Sequence, residues 1–127
     1  MSFEKGDLVI ATYKTGEYVC RYIEDRHERN AVVEVLAVRR HPTQGDLHNP
    51  NQVEVALFHQ RKALAFHEKA VVHQSGLVPF EGEVPDYQES LREALHEKLT
   101  KLETRNDEWA ARSIQELKEL EKDYFKQ

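Results

Sequence analysis

Hydrophobic and polar residues alternate along the first part of the chain, and the period then changes. Leu8 to Tyr13 and Tyr18 to Ile23 are apolar, β-favouring runs on either side of Lys14-Thr15-Gly16, a short turn with a glycine available for positive φ. They predict an antiparallel hairpin. Charged residues from Glu24 to Arg29, ending in Asn30, make the next turn, and Ala31 to Val38 is a dense β-branched run broken only by Glu34. Such a run suits a strand with one face in the core and the other partly covered. Between His41 and Gln52 lie two prolines, a glycine, two asparagines and an aspartate, which no ladder survives, so a loop is predicted there. Val53, Val55 and Leu57 alternate with Glu54 and Ala56 as a fourth strand, and Ala63 to Phe66 and Ala70 to Val72 supply one or two more.

The period changes at Val84-Pro85-Asp86. Asp86 is a good helix N-cap, and Glu89 three residues on completes an acidic variant of the capping box. Tyr87, Leu91, Leu95, Leu99 and Leu102 then recur at spacings of three and four. After a new cap around Asn106-Asp107, so do Ala110, Ile114, Leu117, Leu120 and Tyr124. Two helices are predicted, Asp86 to Glu103 and Asp107 to Phe125, and their very short connection makes them antiparallel. The expected fold is α+β and mainly β in its N-terminal part, with a small β-barrel over residues 1–80 and a helical hairpin over residues 86–127 packed on it. Tyr124 and Phe125 are expected to clamp the helices onto the barrel. Apolar positions on the hairpin would support a homodimer as readily as packing within one chain.

Composition narrows the classes. The 127 residues are enough for one core without a disulfide staple, and the single Cys20 suits a reducing compartment. The apolar runs are far shorter than the ~20 residues of a bilayer span. No apolar stretch follows the first basic residue, so no secretory signal is expected and the protein is placed in the cytoplasm. The net charge is −5, with 12 acids against 10 bases before Pro85 and 11 against 8 after it. Neither part supplies the counterion release that drives nucleic-acid binding, which counts against an RNA-associated module.

The candidate chemistry is thin. His41, Asp46 and His48, with His59 one strand away, form the tightest group of metal-ligating residues. Two histidines and a carboxylate are the donors of a facial triad or a three-ligand zinc site, and they raise a metal-dependent enzyme as one alternative. They lie on a proline-rich loop rather than on rigid strands, so loop-packing histidines and no cofactor are expected. Cys20, in mid-strand, reads as a small buried hydrophobe. No Gly-x-Ser-x-Gly and no phosphate-cradling glycine run is present, and no catalytic role is expected. Tyr13, Tyr18, Tyr22, Phe58 and Phe66 could line a peptide groove, but cross-strand and core packing is the expected use.

Three stretches carry a family resemblance. The loop from His41 to Pro50, the junction Val84-Pro85-Asp86-Tyr87-Gln88-Glu89-Ser90-Leu91 and the terminus Leu120-Glu121-Lys122-Asp123-Tyr124-Phe125-Lys126 together resemble the kinase-associated protein B family of Gram-positive spore formers. Lys5-Gly6-Asp7-Leu8-Val9 and Tyr13-Lys14-Thr15-Gly16 fit the same pattern. The resemblance implies an SH3-like barrel followed by a helical pair. It also implies an accessory role toward a membrane sensor histidine kinase that feeds the sporulation phosphorelay, with recruitment to the inner face of the membrane through that partner. It implies no catalytic residues. The family is also named as a lipoprotein, yet Cys20 follows Tyr18-Val19 inside a predicted strand and lacks the small residue and upstream apolar region of a lipid-attachment site. The His41 to Gln52 loop is the expected contact surface, with His41, Gln44, Asp46, His48 and Asn49 as the candidate partner-binding residues.

Overall fold

The computed structural model describes residues 3–45 and 58–126. Strands β1 (Leu8–Tyr13), β2 (Gly16–Arg26) and β3 (Asn30–Arg40) form an antiparallel meander, joined by Lys14-Thr15 and by a 3₁₀ turn at His27–Arg29. β4 (Lys69–His73) pairs with β3, a second 3₁₀ turn follows at Gln74–Gly76, and β5 (Val78–Pro79) returns to β1. The order is β4-β3-β2-β1-β5, all antiparallel. The expected closed barrel is corrected to an open sheet. β4 matches only Asn30 to Glu34 of β3, and β5 is two residues long with Pro79 lacking an N–H, so neither edge has the ladder to close on the other.

Two local expectations also change. At the first hairpin the positive φ belongs to Lys14, at 56°, not to Gly16. Gly16 is needed for space, because a Cβ there would sit 2.5 Å from the Tyr18 hydroxyl oxygen. Ala63 to Phe66 is not a strand, since side chains take the place of a ladder. Tyr124 Oη accepts from Ala63 N at 2.9 Å, Tyr18 Oη from Leu64 N at 3.2 Å and Glu68 Oε1 from Ala65 N at 2.8 Å, while the Tyr87 hydroxyl donates to Leu64 O. The expected strand Val53 to Leu57 lies outside the described residues.

Every apolar side chain from Ala31 to Val38 is buried, so β3 is covered on both faces rather than partly on one. Helix α1 (Tyr87–Glu103) packs against it. The Ser90 hydroxyl accepts from Val38 N at 2.9 Å and donates to Tyr87 O at 2.8 Å. It thereby satisfies a β3 amide beyond the stretch that β4 reaches. Helix α2 (Glu108–Tyr124) returns antiparallel. The caps are those read from the sequence, with Asp86 accepting from Glu89 N and Asp107 from Ala110 N.

Two cores result. Val9, Tyr18, Cys20, Tyr22, Val33, Val35 and Val72 build one inside the sheet, and Leu91 and Ala94 of α1 join it. Leu95, Leu99 and Leu102 face Trp109, Leu117 and Leu120 to build the other between the helices. The leucine stripes are therefore buried against each other within one chain. Among the described residues no helix is long and apolar enough to cross a membrane.

Candidate functional site

A polar joint holds the sheet to the hairpin. It is built from residues 41–45, which leave the end of β3, and residues 58–64, which run beside α2. His41 is wholly buried; its Nδ1 lies 3.0 Å from Pro42 O and its Nε2 lies 2.8 Å from Tyr124 Oη. Because Ala63 N–H already donates to Tyr124 Oη, the hydroxyl proton is free to go to His41 Nε2, and Nδ1–H then serves Pro42. Burial holds this imidazole neutral and pushes its pKa down to about 4. The Tyr124 hydroxyl is pushed up by the same burial, to about 12.

Gln44, 4% exposed, stitches the joint together. Its amide donates to Pro42 O at 3.1 Å and Arg61 O at 2.8 Å, and its carbonyl accepts from Arg61 N at 2.8 Å. Gly45 closes it with φ of 101°, a conformation that disfavours side chains, and a Cβ there would lie 3.1 Å from Phe58. Lys62 pairs with Asp123 at 2.8 Å, and Arg92 lies 4.0 Å over the Phe125 ring. Tyr124 and Phe125 do clamp the hairpin, as their place in both cores also requires.

His41 and Gln44 are partner-binding candidates from the sequence, and the structure places both side chains out of solvent. Both side chains are inside the joint with all their polar bonds made to this chain, so a partner cannot touch them in this conformation. Asp46, His48 and Asn49 lie outside the described residues. His59 contributes its carbonyl to Gly45 N at 2.9 Å. Among the described residues no three histidine, cysteine, aspartate or glutamate side chains converge as a metal site would require. Of the five aromatics weighed as a groove, Tyr22 is core, Tyr18 is core but also lines an open cleft with Tyr13, Phe58 packs under Arg112, and Phe66 is half exposed beside Tyr87. Cys20 is 1% exposed in the middle of β2, and burial pushes its thiol up to about 12.

Two clefts flank the joint on the surface, and sequence reasoning singled out none of their cations. One, of about 350 Å³, lies between the end of β3 and α1 and is lined by Arg39, Arg40, Lys98 and Lys101 with Glu17 and Glu97. The other, of about 340 Å³, lies beside the first hairpin and is lined by Tyr13, Lys14, Tyr18, Arg61, Lys62, Leu64 and Glu68. A ridge of Thr15 and Thr43 separates them, held by Thr43 N donating to Thr15 Oγ1 at 2.8 Å and Arg40 Nε donating to Thr15 O at 3.3 Å. Lys98 is half-buried and donates to Thr43 Oγ1 at 3.2 Å. Desolvation, together with Arg40 and Lys101, lowers its pKa. These cations come from four separate segments, so a charge count by segment averages them away.

Comparison with known proteins gives consistent matches. The family described as kinase associated protein B matches residues 13–125. Kinase-associated lipoprotein B of Bacillus subtilis is 47% identical over 124 residues, covering 98% of this chain and 96% of that protein. The crystal structure of kinase-associated protein B from Bacillus cereus superposes with a TM-score of 0.82 at 35% identity, over 97% of this chain and 98% of that one.

Proposed function

This chain belongs to the kinase-associated protein B family, and from that premise we propose that it is a non-catalytic accessory protein of a sensor histidine kinase feeding the sporulation phosphorelay. It works in the cytoplasm and is drawn to the inner face of the membrane by its partner rather than by a lipid on Cys20. The observation that carries this is the likeness, over almost the whole chain, to proteins named for their association with a kinase. The finer fold reading goes with it: residues 1–80 form an SH3-like barrel left open along one seam, and residues 86–127 form the hairpin docked on it. The β1–β4 meander, the return of β5 to β1 and the 3₁₀ turn between β4 and β5 support that reading.

The test is a pull-down of the full chain against the cytoplasmic part of each sensor kinase of the host cell, together with a deletion strain in which phosphate flow to the terminal regulator is measured. Specific capture of one kinase and reduced flow are expected. Capture of none, with flow unchanged, refutes the proposal.

A further inference from the structure

Resting on that kinase-associated role, we infer that the two clefts on either side of the Thr15–Thr43 ridge form one docking face for an acidic segment of the partner protein, whose carboxylates meet Lys98, Arg40 and Lys14. The first support is charge segregation. The chain carries a net charge of −5, yet its two clefts are lined by seven cations and three anions. The face therefore has the opposite sign to the molecule that carries it, which steers an acidic surface to this place and away from the rest.

The second support is the state of the cations themselves. Arg39 and Arg40 share one carboxylate, Glu17, at 3.4 and 3.6 Å. Lys101 has Glu97 at 3.3 Å. Lys98 has no carboxylate within ion-pair distance among the described residues, and its ammonium is partly stripped of water beside Arg40 and Lys101, which Glu97 offsets only in part. An arriving carboxylate relieves that repulsion, so the cleft favours an anion more than its own neighbours do. Across the ridge, Tyr13 and Leu64 offer apolar surface between Lys14 and Lys62. The complement is a peptide segment with acidic residues flanking an apolar one.

A polyanion fits less well. Arg39, Lys62 and Lys101 already have internal acids and Arg40 has half a share in Glu17, so few charges remain to displace the counterions of a long polyanion, and an acidic body surrounds them.

The experiment measures the affinity of the full chain for the captured kinase fragment at low and high salt. Lys98→Glu and Arg40→Glu should each weaken binding by about tenfold or more and flatten its salt dependence. Lys98→Gln should weaken it by less, and Lys118→Glu, on the exposed side of α2, should leave it unchanged. Circular dichroism and amide spectra verify that each variant folds. If the kinase binds and Lys98→Glu matches wild type, the docking face is refuted while the accessory role stands. If no kinase binds, that role fails, and the face is judged by a second arm with two short synthetic peptides, one with glutamates flanking a leucine and one with glutamines in their place. Shifts in the amides of Lys14, Arg40, Thr43 and Lys98 with the glutamate peptide alone support the face. Equal shifts, no shifts, or tighter binding of an RNA oligonucleotide or an anionic vesicle there overturn it.

Discussion

The sheet core and the hairpin core are joined through α1 but are built differently. In the sheet, β-branched and aromatic side chains pack on a backbone held by ladders, and the β2–β3 pair shifts register three times, with Arg39 and Leu36 extra in β3 and Ile23 extra in β2. In the hairpin, leucines and one tryptophan pack with no shared backbone bonds between the elements, so side-chain volume alone sets the spacing. α1 belongs to both, giving Leu91 and Ala94 to one and Leu95, Leu99 and Leu102 to the other. α2 reaches the sheet through the polar joint. The difference teaches that α1 is the shared packing element, which predicts that the two regions unfold together, while hydrogen bonds of the joint align α2 with the sheet.

The strongest test is Leu117→Ala, which opens a cavity at a wholly buried position of the hairpin core and should cost about 3.5 kcal/mol. If α1 couples the cores, urea unfolding followed by tyrosine and tryptophan signals stays a single transition; two separated transitions would break the comparison. His41 should come next. The unfolded chain binds a proton at the imidazole's ordinary 6.5, and the folded chain only near 4. The joint's contribution is therefore complete above about pH 6.5, drains as pH falls toward 4, and amounts to about 3 kcal/mol. His41→Gln should lack that part of the loss between pH 7 and pH 4, and identical slopes in the two proteins would refute it.

Tyr124→Phe keeps the ring in both cores but leaves Ala63 N–H and His41 Nε2 without their partner, a cost of about 2 kcal/mol. Hydrogen exchange should quicken at Ala63 while the amides of β2 keep their protection, since the change touches alignment rather than either core. The smallest effect has the opposite sign. Ser113 Oγ is buried on α2 with no hydrogen-bond partner among the described residues, so Ser113→Ala should gain about 1 kcal/mol. A loss on thermal melting would show that the hydroxyl has a role.

The hairpin core was readable because its leucines repeat at three and four over two long segments, and the caps were readable as Asp86 and as the Asn106-Asp107 pair, of which Asp107 is the one used. The central strands were readable too, with β1 falling on Leu8–Tyr13 as its apolar run predicts. The edges were not. Ala63 to Phe66 has strand composition, but tyrosines distant in sequence supply its bonds, and no local pattern announces them. The joint was hidden for the same reason: His41 and its partner Tyr124 lie 83 positions apart. A polar loop with no period looks like surface, and only the fold reveals that this one is interior.

Cys20 has a practical consequence. It is the chain's single thiol, locked in the strand that both neighbours of the sheet clasp, and burial keeps it protonated. A small alkylating reagent can reach it only when β2 comes free. The labelling rate of the unaltered protein therefore reports how often the sheet opens, and any partner that braces the fold will slow that clock without touching the sulfur.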